Sequence, residues 1–151
     1  MHRRTFLRNT GMAAAMVAVS TIGSIAAPVF TGSTNGVAIN GYDPVGYFTE
    51  SKPVKGSAEF SHTWDGKDWH FASEENRSKF AADPVRYAPK YGGFCAYAMA
   101  SGYQASTVPE AWSIVDDKLY LNYSLGVRKR WDADQQNYIK LGDKNWPKFK
   151  Q

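Results

Sequence analysis

Residues 59–71 read Glu-Phe-Ser-His-Thr-Trp-Asp-Gly-Lys-Asp-Trp-His-Phe. Two aromatic-rich runs flank Asp65-Gly66, a dipeptide suited to the two left-handed positions of a type I′ hairpin turn. A two-residue loop sets the register, so Trp64 stands opposite Lys67, His62 opposite Trp69, and Phe60 opposite Phe71. Alternation then puts Phe60, His62, Trp64, Trp69 and Phe71 on one face and Ser61, Thr63, Asp68 and His70 on the other. Such a hairpin has one apolar face and must lay it on another element.

Downstream, Ser73 is a good N-cap, with Glu74 and Glu75 in the first turn, where the helix dipole favours negative charge. This helix runs to about Ala82, and Asp83-Pro84 ends it and starts a short turn through Tyr87. Upstream, Val37-Ala38-Ile39 reads as a short strand ended by Asn40-Gly41. Asp43 then caps a turn whose first helical position is Pro44. Beyond Tyr91-Gly92-Gly93 the chain enters a helix to Ala100 that places Cys95 and Met99 on one face. A second hairpin spans Ala111–Val115 and Lys118–Tyr123 around Asp116-Asp117. Helix signals resume at Ser124, continue past Trp131 and Tyr138, and close at Asn145-Trp146-Pro147. Phe71-Ala72-Ser73 leading to Lys79-Phe80 has a loose counterpart in Asn122-Tyr123-Ser124 leading to Arg130-Trp131, which suggests a pseudo-repeat. The expected fold is α+β: a small antiparallel sheet built from two β-hairpins, each followed by a helix, with helices mainly on one face.

Met1 to Arg8 read M-H-R-R-T-F-L-R, which resembles the twin-arginine export signal. The stretch Gly11–Ala27 is only weakly apolar, whereas a spanning helix wants about twenty strongly apolar residues. It suits a signal peptide over residues 1–27; the alternative is an N-terminal membrane anchor. Pro28 obstructs a cut directly after Ala27, so cleavage falls elsewhere or the segment is retained. The resemblance implies a periplasmic location and a route that carries folded proteins, often with a cofactor already bound. Residues 28–36 are expected to be a linker and 37–151 the domain, with a core module at 42–87 and an extension at 88–151. About 120 residues can bury a core without staples, and an aromatic share of 15% makes that core aromatic-rich. Setting aside Arg3, Arg4 and Arg8 leaves 15 Lys and Arg against 14 Asp and Glu, a net of +1 that gives no reason to expect nucleic acid. Arg128-Lys129-Arg130 reads as a solvated helix face. The single cysteine, Cys95, excludes an internal disulfide.

Asp43-Pro44-Val45, W-H-F-A-S at 69–73, Asn76, Phe80 and D-P-V-R-Y at 83–87 resemble the YHS domain. Gly41–Val45, Y-G-G-F-C-A at 91–96 and L-Y-L-N at 119–122 are similar to a longer exported subgroup of that family. The resemblance implies a metal-handling role. Yet the family's metal-linked cysteine positions hold Gly46, Ala72 and Asn76 here.

The remaining thiol, Cys95, lies near a helix start, which favours a thiolate. Met99 one turn on and His70 from the hairpin complete a set that suits copper, with zinc second. The alternative for Cys95 and Met99 is core packing. Tyr42, Asp43, Ser73, Asn76 and Tyr91 match family positions and form a candidate polar ligand cluster, or else serve as caps and turns. His62 is expected to pack on the aromatic face. No nucleophile–base–orienter triad is legible, so a catalytic role is not expected. Three readings follow: a periplasmic copper-binding accessory centred on Cys95, a non-catalytic binding module for a partner protein or small ligand, and a single-thiol redox protein.

Overall fold

Asp65 and Gly66 turn the chain at φ of 52° and 75°, the left-handed pair that a type I′ turn requires. The computed structural model describes residues 26–150, so the expected leader, over residues 1–25 of its span, lies outside the described residues. Strand β1 (Ser57–Trp64) and strand β2 (Lys67–Phe71) pair antiparallel, with Trp64 opposite Lys67 and His62 opposite Trp69, as the turn dictates. Phe60, His62, Trp64, Trp69 and Phe71 form the inner face, and Ser61, Thr63 and Asp68 are exposed. The register breaks beyond Ser61, however. Phe71 pairs with Ser57 rather than Phe60. Gly56 is pressed on the backbone of His70, where a Cβ would lie 2.5 Å from the His70 carbonyl carbon, and its N–H donates to Gly41 O. This anchor pulls the start of β1 out of the simple ladder, leaving a bulge.

Helix α1 (Pro44–Thr49) is capped by Asp43, and helix α2 (Glu74–Ala82) by Ser73, whose hydroxyl accepts the Asn76 N–H. Helix α3 (Pro84–Tyr87) follows at once. Phe80 of α2 is fully buried against the hairpin, its ring 5.1 Å from that of Trp69 and 5.0 Å from that of Phe71. His62 packs edge-on to the same ring, as expected of its face.

Helix α4 (Ala96–Ala100) leads to strands β3 (Trp112–Val115) and β4 (Lys118–Leu121), which form the second hairpin. The two hairpins do not join. The fold is α+β with two antiparallel hairpins, each followed by a helix, as expected; each hairpin is its own two-stranded sheet rather than half of one. The reason lies at the edges: Val37 bridges to Asp68 on β2, and β4 is a wall between two cores. Leu119 and Leu121 face the first cluster with Val45, Tyr47, Phe71 and Phe80, while Tyr120 faces a second cluster with Tyr91, Met99 and Trp131.

Helix α5 (Leu125–Asp132) and helix α6 (Gln135–Asn145) replace the single run expected after Ser124. Asp134 is non-helical (φ −149°, ψ 56°). The break lets Trp131 cover Tyr120 while Tyr138 swings back onto Tyr97. No helix among the described residues is long and apolar enough to cross a membrane.

The suspected repeat is present in three dimensions. Ile39, Asn40 and Gly41 are all left-handed, as are Tyr91, Gly92 and Gly93. Each turn is closed by the same bond, Tyr42 N–H to Ile39 O and Phe94 N–H to Tyr91 O. A short helix, a hairpin and a Ser-capped helix follow in both halves. Ser124 accepts the Val127 N–H as Ser73 accepts that of Asn76. Trp131 stacks on Tyr120 as Phe80 stacks on Trp69. Within this correspondence Cys95 stands where Asp43 stands. The left-handed turn also overrides the strand expected at Val37–Ile39.

Residues 28–36, read as a linker, pack against the domain at their start. Val29 is buried, Phe30 N–H donates to Gly92 O, and Ile39 N–H donates to Phe30 O. Gly92 is required there, because a Cβ would lie 2.1 Å from Pro28 O.

Two outcomes follow. Asp43→Ala should cost about 3–5 kcal/mol in urea unfolding, because a cap and further buried donors lose their acceptor together. Asn76→Ala should cost about 1–2 kcal/mol, since one donor goes with its side chain. Alkali should also unfold the protein. Burial, helped by Asp143, raises the Tyr120 phenol to about 12, and burial raises Tyr47 and Tyr91 further. Unfolded tyrosines ionise near pH ~10. With folded values raised, the stabilisation is complete below that pH and is lost as pH climbs through the folded values. Urea midpoints should hold to about pH 9 and then fall, with phenolate absorbance rising in step with unfolding.

Candidate functional site

The residues that match the first family motif meet at one carboxylate. Asp43 is fully buried. Its Oδ1 accepts Val45 N–H at 2.8 Å and Gly46 N–H at 3.3 Å. Its Oδ2 accepts Ala72 N–H at 2.9 Å and the Asn76 side-chain amide at 2.7 Å. Gly46, Ala72 and Asn76 are the positions at which the resemblance places metal-linked cysteines. Here those three positions converge, but on an oxyanion that already has four donors. A cation would have to displace those donors and would find no thiol, so this centre does not fit a metal. Asp43 and Asn76 are joined directly, and Ser73 belongs to the same tie only through the Asn76 N–H that it accepts.

Cys95 is not part of that cluster. It stands at the N-cap position of α4 without a side-chain cap bond and is buried at 1% exposure. Its Sγ donates to Asn122 Oδ1 at 3.5 Å, and the same oxygen accepts Tyr97 N–H at 3.0 Å. Met99 does follow one turn on, its N–H bonded to Cys95 O, but its side chain packs in the second aromatic cluster. His70 lies elsewhere, in a surface groove. The structure therefore does not gather Cys95, His70 and Met99 into one ligand set. Among the described residues no group of three or more His, Cys, Asp and Glu could hold a metal ion. The partner missed from sequence is Asn122, whose signal was its place in L-Y-L-N at 119–122. Its Nδ2 is buried with no partner among the described residues.

Tyr91 is likewise apart from Asp43. Its hydroxyl donates to Asp143 Oδ1 at 3.0 Å, and Gly142 makes room for the ring, since a Cβ there would lie 2.5 Å from the phenol oxygen. Tyr91 is a post between α6 and the left-handed turn.

Tyr42 and His70 do come together. They line an open groove of about 520 Å³ with Ser33, Thr34, Asn40 and Lys55. Tyr42 and Lys55 are held side by side by an isolated β-bridge. Gly41 brings backbone near the imidazole, where a Cβ would lie 3.7 Å from His70 Nδ1, while Gly56 is pressed on the His70 backbone. Asn40, left-handed at φ 56°, spends its Oδ1 on the Ser33 N–H and keeps its NH₂ as a donor. No carboxylate lines the groove, and Lys55 has no ion pair among the described residues. An ammonium, an imidazole, a phenol, an amide and the Ser33 hydroxyl around one concavity suit a small anion, the Thr34 hydroxyl being committed to the Thr31 and Val37 carbonyls.

The burial of Cys95 has a direct consequence. A disulfide reagent should leave the folded protein unmodified over the time in which urea-unfolded protein reacts fully. Fast native labelling would show an accessible thiol instead.

Residues 45–91 match the YHS domain family. The matched segment begins inside the Asp43-capped turn, takes in the first hairpin and its helix, and ends at the second left-handed turn. No curated protein and no solved structure matches the chain. The likeness to the YHS domain thus covers 47 of the 151 residues, from within the Asp43-capped helix to Tyr91.

Proposed function

We propose that this protein is a non-catalytic binding module whose groove at Tyr42, Lys55 and His70 holds a small anionic ligand. The observation that carries the reading is the company these side chains keep. Sequence-distant donors share one open concavity with no acid in its lining. Backbone in the left-handed region at Ile39 and Asn40 borders it, and such strain clusters at ligand sites. The YHS domain brings a metal-related expectation with it. The Asp43 tie and the buried Cys95 offer that expectation no ligand set among the described residues. The twin-arginine-like start, Arg3-Arg4 with Phe6 and Leu7, supports export to the periplasm as the setting.

Titration with inorganic phosphate and with citrate, followed by amide and imidazole NMR shifts, tests the reading. Shifts should concentrate at residues 33–42, 55, 56 and 70. Lys55→Gln should weaken binding about fivefold, the scale of one solvent-exposed ion pair. Saturation by either anion with no shift at these positions would overturn the proposal. So would stoichiometric copper(I) uptake abolished by Cys95→Ser, which would establish the metal role instead.

A further inference from the structure

A second groove, of about 380 Å³, lies on the opposite chemistry: aromatic walls with a cationic rim. Trp64 and Asp65 at the tip of the first hairpin, Val85, Lys90, Trp146 and Lys150 line it. Trp64 and Trp146 are both half-buried, so each keeps ring surface open to solvent. Val85 is 68% exposed although apolar, which leaves a hydrophobic face uncovered here. The two lysines are not loose. Lys90 Nζ lies 5.9 Å from the Tyr91 ring centre and 3.7 Å from Asp143. Lys150 Nζ lies 6.0 Å from the Trp146 ring centre and has no ion pair among the described residues. The one acid of the lining, Asp65, has Oδ1 committed to the Ala27 N–H. An ammonium with no counter-ion among the described residues, beside open indole surface, asks for a ligand with both features at once: a flat apolar body and an anionic head.

We propose that this groove binds an aromatic carboxylate, with the ring system against Trp64 and Trp146 and the carboxylate at Lys150. The site is separate from the polar groove and does not depend on it. An inorganic anion lacks the apolar surface for which this groove is shaped, and a neutral arene lacks the charge.

The test is titration of the full chain with 2-naphthoate, read by quenching of tryptophan fluorescence, beside naphthalene-2-carboxamide as the neutral isostere. Saturable quenching is expected with 2-naphthoate, at least fivefold weaker with the amide. Lys150→Gln, at an exposed position near the C-terminus, should weaken 2-naphthoate about fivefold without changing the melting temperature, whereas Lys55→Gln should leave it unchanged. Equal affinity for acid and amide would overturn the proposal, as would indifference to Lys150→Gln. Competition by inorganic phosphate, or loss with Lys55→Gln, would assign the binding to the polar groove and equally defeat a second site.

Discussion

A buried carboxylate with four hydrogen-bond donors organises the first half of this molecule. Asp43 alone would be costly to bury, since a charge removed from water must be repaid by fixed dipoles. Val45, Gly46, Ala72 and Asn76 supply them. The donors come from the start of α1, the end of β2 and the first turn of α2, so satisfying one side chain sets the relative position of three elements. The aromatic layer of Trp69, Phe71 and Phe80 then closes against a frame already aligned. Dispersion and apolar burial supply the bulk of the stabilisation, but they are not directional. The carboxylate provides the direction.

The second half uses the same layout with another chemistry at its pivot. Cys95 replaces the carboxylate, and the Tyr97 N–H is met instead by Asn122, from the end of β4. The oxygen of one amide can take two donors, here the thiol and the backbone, while its nitrogen is left without a partner among the described residues. The two halves are fastened by β4, whose alternating side chains serve one core with Leu119 and Leu121 and the other with Tyr120. A strand buried on both faces is a better spacer than a sheet edge, which explains why two hairpins in one small fold remain separate sheets.

At the positions where the resemblance implies cysteines, the chain instead builds a structural tie. Gly46, Ala72 and Asn76 converge in space as the resemblance requires, yet what they hold is an internal anion. The two grooves lie outside this tie. The polar groove stands directly beside it, since Tyr42 precedes Asp43 and His70 leads through Phe71 to Ala72. The aromatic groove lies at the far end of the same hairpin, around Trp64 and Asp65.

What the sequence by itself determined is local. The Asp65-Gly66 turn, the pairing from Trp64 to His62, the inner aromatic face, the caps at Asp43, Ser73 and Ser124, and the stop at Asp83-Pro84 all follow from dihedral preferences and hydrogen bonds among neighbours in the chain. Even the repeat showed in the spacing from Ser73 to Phe80 and from Ser124 to Trp131. Tertiary structure alone decided the rest: the bulge that parts Phe60 from Phe71, the separation of the sheets, the docking of Val29 and Phe30, the pairing of Cys95 with Asn122, and the grouping of His70 with Tyr42 and Lys55. Each of these depends on which distant backbone approaches at Gly41, Gly56 or Gly92, and on which buried donor finds an acceptor. Those are conditions of the packed whole, and no window of neighbouring residues contains them.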